Sequence, residues 1–388
     1  MASLLLPIIY LAFISLGLPD ALLGAAWPTM YPQLGAQVSW AGGVSMIISA
    51  CTILSALASD RLNERLGTGR VTAISGATTA AALLGFSFCH AFWQLCLWAI
   101  PYGLGAGSVD AALNNYVALH YKSRHMSWLH CMWGVGASLG PVIMWQALAG
   151  SGWQGGYRII GILQVVLTVV LLFSLPLWKL PQDAMGGEPF TPQHRSFPEL
   201  LKITGVPEVL VCFLCYCALE STAGMWASSY CTLVRGLDAQ TAASWASLFY
   251  LGITAGRFVS GFLTMKMSDR NMIRLGQVLI ALGILLVLLP AGNNVLFVGL
   301  ILIGLGCAPV YPCIIHETPV NFGRELSMSM TGLQMAFAYV GSCLAPPLFG
   351  LLAQNVTPRL YPWYLAVGLV VMVIMSESLH AKKAAEHR

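Results

Sequence analysis

GLGAGSVDAALNNYVALHY, Gly103 to Tyr121, decides how this chain must be built. Most of its side chains would dissolve in hydrocarbon, yet Asp110, Asn114 and Asn115 stand among them, behind a run of small residues. A carboxylate inside a bilayer is costly and is kept where it has a partner, a water-filled cavity or a function. Asp110 and Asn114 are four residues apart and share one helical face. Gly103, Gly105, Gly107 and Ala111 allow neighbouring helices to pack closely. Asn115 points elsewhere and reads as a structural hydrogen-bonder.

The surrounding chain puts this stretch in a membrane. Of 388 residues, 57% are hydrophobic and 9% charged, against ~25% charged in a soluble domain. Turn and charge clusters cut the sequence into twelve apolar segments, each near the length that crosses a ~30 Å hydrocarbon core. They run over 4–31, 39–60, 70–90, 93–120, 126–149, 157–179, 206–233, 240–264, 272–290, 294–317, 325–354 and 359–378, here called spans 1 to 12.

The net charge of +4 matters through its placement. One alternating set of connections, with the C-terminal tail, holds fifteen basic residues; the other holds Arg158, Arg235 and Arg359, and Arg257 lies inside span 8. The positive-inside bias then predicts a multi-pass protein of the plasma membrane (the inner membrane in a bacterium), with both termini cytoplasmic. The first apolar stretch is too long for a cleavable signal and contains Pro19 and Asp20, so it reads as span 1. Nearly all eleven cysteines fall within spans, where thiols behave as small hydrophobes. No metal site is expected, because carboxylate and His partners at ligand spacing are missing.

The longest polar connection, PQDAMGGEPFTPQHRSFPELLK (Pro181–Lys202), has four prolines and adjacent glycines and suits a linker with at most a short surface helix. The expected organisation is a six-helix bundle over 1–180, a cytoplasmic linker over 181–203, a second bundle over 204–380 and a tail over 381–388. The halves echo each other in order: LPDALLGAAW with LESTAGMW, SALASDR with SGFLTMK, GLGAGSVD with GLGCAPVY, and SLGP with CLAP. This places Asp20 over Glu220 and Gly24 over Gly224. A duplicated six-helix unit is the organisation of major facilitator transporters, whose halves rock about a central site.

ASDRLNERLGTGR, between spans 2 and 3, resembles the loop signature of that superfamily through Asp60, Arg61, Arg65, Gly67 and Arg70, with Ala56 where a glycine is usual. A carboxylate at a helix end, held by amides and cations, can lock one face of a transporter and release it. These residues and Arg257 are gating candidates; ordinary positive-inside charge is the plainer reading. GRFVSG (Gly256–Gly261) is the second half's degraded counterpart.

Three carboxylates lie well inside spans: Asp20, Asp110 and Glu220. Arg257 and His130 are the deep basic candidates, and two cannot neutralise three. At least one acid is therefore expected to be protonated or solvated in some state, which makes all three, with His130, proton-coupling candidates. His130 opens span 5 directly after a short connection from span 4, so it can reach Asp110 or Asn114; an interfacial, satisfied histidine is the alternative. His316, Glu317 and Glu377 sit at span ends and are expected to be solvated. Trp27, Trp133, Trp226 and Tyr311 are candidate substrate contacts, since aromatic faces stack on the C–H faces of sugar rings. Asn114, His130, Glu220 and Gln334 are candidate hydrogen-bonders. Belt or packing roles compete for the tryptophans, and a helix–helix hydrogen bond for Gln334.

The helices that carry these residues resemble the fucose permease-like branch of sugar/proton symporters. That branch has a Gly-rich fourth helix with an acid followed four residues later by Asn, matched by Asp110 and Asn114. Its seventh helix carries an acid, then Gly and Trp, matched by Glu220, Gly224 and Trp226, and Asp20 matches an acid on its first helix. His130 stands where fucose permease often has Gln. The resemblance implies uptake of a monosaccharide with a proton, Asp110 being the proton-linked acid and Asp20 a second acid facing the cavity.

The expectation is therefore an all-α, twelve-helix transporter of a neutral sugar or polyol driven by protons (or sodium), monomeric in the bilayer. No cofactor and no nucleic-acid partner are expected, and the lack of a Walker loop or nucleotide fingerprint in the sequence argues against ATP-driven transport. A proton-coupled exporter of lipophilic or cationic drugs is the alternative, kept open by GVGASLGP (Gly134–Pro141) on span 5. A receptor that moves nothing fits the duplicated acids poorly, and no nucleophile–base constellation suggests an enzyme.

Overall fold

Hydrocarbon offers no hydrogen bonds to a backbone, so long apolar runs must satisfy their own amides as helices. The computed structural model, which describes residues 2–20, 22–36, 40–179, 195–237, 239–290 and 292–386, has that architecture. Span 1 is supplied by α1 (Ala2–Gly17) and α2 (Leu22–Gln33). Spans 2 to 6 are α3 (Trp40–Leu66), α4 (Thr68–Phe86), α5 (Phe92–His120), α6 (Ser123–Leu148) and α7 (Gly152–Ser174). A short α8 (Phe197–Leu200) precedes α9 (Val206–Leu233), α10 (Ala239–Leu263), α11 (Asp269–Leu288) and α12 (Gly292–His316), which are spans 7 to 10. After α13 (Thr318–Phe322), spans 11 and 12 are α14 (Ser327–Asn355) and α15 (Tyr361–Glu386). Seven of the described helices are apolar and long enough to cross a membrane on composition alone. Outward-facing Phe173, 81% exposed, typifies an apolar surface that suits lipid.

Three departures from the expected spans have local causes. Span 1 is interrupted: Leu18 to Asp20 form a turn in which the amide of Asp20 reaches Gly17 at 3.2 Å and that of Leu22 reaches Pro19 at 3.1 Å. Pro19 cannot donate to the helical ladder. The expected loop after span 2 is mostly helix, because α3 continues to Leu66 and only Gly67, at φ 78°, separates it from α4. The last helix runs on through the segment expected as a tail. Of the linker, residues 180–194 lie outside the described residues. Its end forms α8, where the Ser196 amide donates to Glu199 Oε2 at 2.9 Å in a capping box. These bonds to Ser196 hold the exposed Glu199 carboxyl below its ordinary range.

The helices form two compact units. Unit 1 comprises residues 1–120, 129–194 and 324–336; unit 2 comprises 121–128, 195–323 and 337–388. In unit 1, Gly103 and Gly107 of α5 lie directly on the backbone carbonyls of Ile48 and Thr52 in α3, and Gly105 lies against Thr79 of α4. In unit 2, Gly304 of α12 lies on the carbonyl of Phe249 in α10. The pairs Gly103–Ile48 and Gly304–Phe249 stand at the same sequence offset, so the duplicated motif makes the same close approach in both halves.

Candidate functional site

Close packing carries Asp110 to the inside of unit 1, where it is 6% exposed. One turn on, Asn114 Nδ2 donates to Asp110 Oδ1 at 2.8 Å, and also to the Asp110 carbonyl at 3.0 Å. Asn114 Oδ1 stands 3.0 Å from His130 Nε2 on α6. A carboxylate requires the amide's NH2, which leaves the amide oxygen for His130; Nε2 therefore carries the proton in this arrangement. Phe13 of α1 meets the imidazole edge-on at 5.5 Å. The sequence placed His130 within reach of Asp110 or Asn114. The structure makes Asn114 the link between the other two.

Asp20 lies in the interruption of span 1. Its Oδ2 accepts from Trp133 Nε1 at 2.8 Å and its Oδ1 from the Tyr102 hydroxyl at 3.2 Å. The carboxylate borders a cavity of about 200 Å³ within unit 1, whose wall includes Ser45, Ser49, Phe86, Tyr102 and Tyr157. Tyr102 was missed by sequence reasoning, although it immediately precedes the glycine run that positions it.

In unit 2, Glu220 Oε1 is 3.2 Å from Arg257 Nη2, with side-chain exposures of 20% and 4%. Tyr216 bonds the guanidinium and donates its own hydroxyl to the Cys307 carbonyl at 2.9 Å. Tyr311 packs on Phe213 at 4.7 Å and on Tyr216 at 6.1 Å. Trp226 directs its N–H to the Pro346 carbonyl at 3.0 Å and its ring against Phe349. That is a packing geometry, the competing reading for this tryptophan. Gln334 is fully buried, and the side chain of Trp27 lies outside the described residues.

Of the loop-signature residues, Asp60 accepts from the Ser329 hydroxyl within unit 1, while Arg61, Arg65 and Arg70 are exposed. Asn115 accepts from Ser327 at 2.5 Å. Two expectations are corrected. His316 is not solvated, being 18% exposed with Nδ1 at 2.6 Å from Asp269 Oδ2, and Glu317 is 3.3 Å from His380 Nε2. Their partners come from distant helices, so the spacing gave no sign of them. Glu377 is about one-third exposed, as a span end should be, yet it is bound by Arg274 at 2.5 Å and Arg270 at 3.4 Å.

The sequence model of the Major Facilitator Superfamily matches residues 9–246 and again 209–386. The E. coli fucose:proton symporter FucP superimposes with a TM-score of 0.78 at 15% identity, covering 97% of this chain and 97% of that one. The proton:xylose symporter XylE gives 0.76 at 12% identity, covering 95% and 94%. A probable nitrate/nitrite antiporter of Thermus thermophilus is 26% identical over 375 residues, 84% of this chain and 82% of that protein. Two six-helix repeats, acids inside the spans and matches across nearly the whole length lead to one assignment: the chain belongs to the Major Facilitator Superfamily of membrane transporters.

Proposed function

We propose that this transporter takes up a neutral sugar or polyol together with a proton, by alternating access. The observation that carries the reading is the buried series Asp110–Asn114–His130. With Asp110 ionised, the amide gives its NH2 to the carboxylate and its oxygen to His130. A proton on Asp110 reverses this logic: the acid can donate to the amide oxygen, the amide turns over, and its NH2 then faces a His130 nitrogen that must accept. Loading Asp110 thus changes the tautomer of His130, a means of passing a proton between two helices.

Asp20 supplies hydrogen-bond acceptors at the cavity wall, with serine hydroxyls and aromatic faces beside it. The cavity of about 200 Å³ lies below the ~300–1,000 Å³ of sites for drug-sized ligands, which supports a small solute. Glu220 enters as the partner of Arg257, and Asp60 with its neighbouring arginines as a cytoplasmic lock closed through Ser329. The basic-residue bias supports cytoplasmic termini at both ends.

Export of lipophilic or cationic compounds is the second reading. It draws on α6, where Gly136 and Gly140 lie directly on the carbonyls of Ile14 and Leu18, as a glycine signature for tight packing on span 5 requires. Proteoliposomes assayed with a panel of monosaccharides, polyols and cationic dyes under an imposed pH gradient separate the two. Asp110→Asn is expected to lose concentrative uptake while retaining counterflow. Unchanged accumulation by Asp110→Asn removes Asp110 from the mechanism.

A further inference from the structure

At one end of unit 2, three chain segments meet on a single imidazole. His316, the last residue of α12, places Nδ1 at 2.6 Å from Asp269 Oδ2 on α11 and Nε2 at 3.1 Å from the Tyr121 carbonyl. Asp269 also accepts from the Ser123 hydroxyl and bonds the Cys313 thiol. The adjacent Glu317 is engaged by His380 of α15, whose Nδ1 faces the Ser376 carbonyl at 2.7 Å. The charged groups facing His316 are thus Asp269 from α11 and Glu317 from its own end of α12, while the segment before α6 presents the neutral Tyr121 carbonyl.

A carboxylate and a backbone carbonyl are both acceptors only. A neutral imidazole has one N–H and can satisfy one of them. Both bonds exist together only when both nitrogens carry protons, so the ring in this geometry is an imidazolium. We propose that His316 is a proton-operated latch: charged, it fastens residues 121–128 to α11 and α12, and deprotonated, it lets them go. The proton that leaves is the one on Nε2, because the Nδ1 proton is held by a carboxylate and the Nε2 proton only by a neutral carbonyl. The sign follows: the fastening is complete at low pH and is lost as pH rises through the pKa of the bound ring. Residues 121–128 include the first turns of α6, the helix of His130, and the positive-inside bias puts this end of the molecule in the cytoplasm. Cytoplasmic proton concentration would then set how firmly the start of α6 is anchored.

Hydrogen-exchange mass spectrometry of the full-length protein in nanodiscs tests the latch with no substrate present. Its result is therefore independent of the proton-symport reading. Exchange of the 121–128 peptide is divided by that of an α4 peptide at each pH, which cancels the intrinsic pH dependence. In the wild type the ratio should rise at least about tenfold between pH 6 and pH 9, as expected for losing one charge-assisted hydrogen bond. His316→Gln should give a high ratio that does not change with pH, and Asp269→Asn should move the rise to lower pH. A flat wild-type ratio overturns the proposal whatever the variants do. So does an unaltered pH step in His316→Gln.

Discussion

Arg257 of α10 and Glu220 of α9 form a buried ion pair, Nη2 to Oε1 at 3.2 Å, with the guanidinium side chain 4% exposed. Glu220 thus has a permanent cation as its partner, and Asp110 is hydrogen-bonded by the amide of Asn114. Removing one member of a buried pair leaves a charge without compensation, at a cost of about 3–5 kcal/mol. Glu220→Gln and Arg257→Met should each lower the unfolding midpoint of the purified protein strongly, and the double variant should recover much of the loss. Thermal unfolding in detergent of the two single variants and the double checks this; strictly additive losses would rule out a coupled pair.

His130 is the titratable end of the proposed relay. His130→Gln keeps a donor for Asn114 Oδ1 but has no proton to give up. Counterflow of the transported solute in this variant should vary less than about twofold between pH 6 and 8, the range in which a histidine titrates, while the wild type follows the titration. A variant with the wild-type pH profile would assign the dependence to another group.

The glycines of α5 divide from those on open surface. A Cβ on Gly107 would press on the Thr52 carbonyl, whereas one on Gly43 meets nothing within 4 Å. Gly107→Ala should cost about 1–3 kcal/mol by overpacking. Gly43→Ala, inside α3, should be neutral or stabilising by about 0.4–1 kcal/mol. Unfolding midpoints of the two variants side by side give the comparison.

At the N-terminal end of α11 the outcome should be small. Arg270, Arg274 and Glu377 form a half-exposed ion cluster, with side chains 41%, 45% and 38% exposed. Water screens such pairs, so Glu377→Ala should change stability by about 1 kcal/mol or less. A large loss in a chemical-denaturation series would show that the cluster is shielded in the bilayer.

Particular residues show what sequence could and could not supply. Span 7 was placed at its observed limits because turn and charge clusters bound its apolar run on both sides, and α9 follows that run from Val206 to Leu233. Asp110 and Asn114 were legible as partners because both lie on one helix, where spacing fixes the face. Pro19 and Asp20 were visible too, but as residues of one continuous span, since hydropathy does not register a lost backbone hydrogen bond. The His316–Asp269 and Asp60–Ser329 contacts join residues far apart in the chain, and nothing local encodes such meetings. The end of α15 was drawn too short because Lys382 and Lys383 read as tail. In the folded chain Lys382 pairs with Glu208, and Lys383 stands 5.0 Å over the ring of Phe322.

Gly67 alone joins α3 to α4, so the junction has no slack to absorb a change in length. Each residue of an α-helix advances about 100° around the axis. One residue added within the first turn of α4, just after Gly67, would therefore rotate the rest of α4 by over a quarter turn. Thr79, which accepts from Gln164 Nε2 at 3.0 Å and lies under Gly105, would swing away from both. A single added amino acid at this turn would put the third transmembrane helix out of phase with its neighbours along its full height.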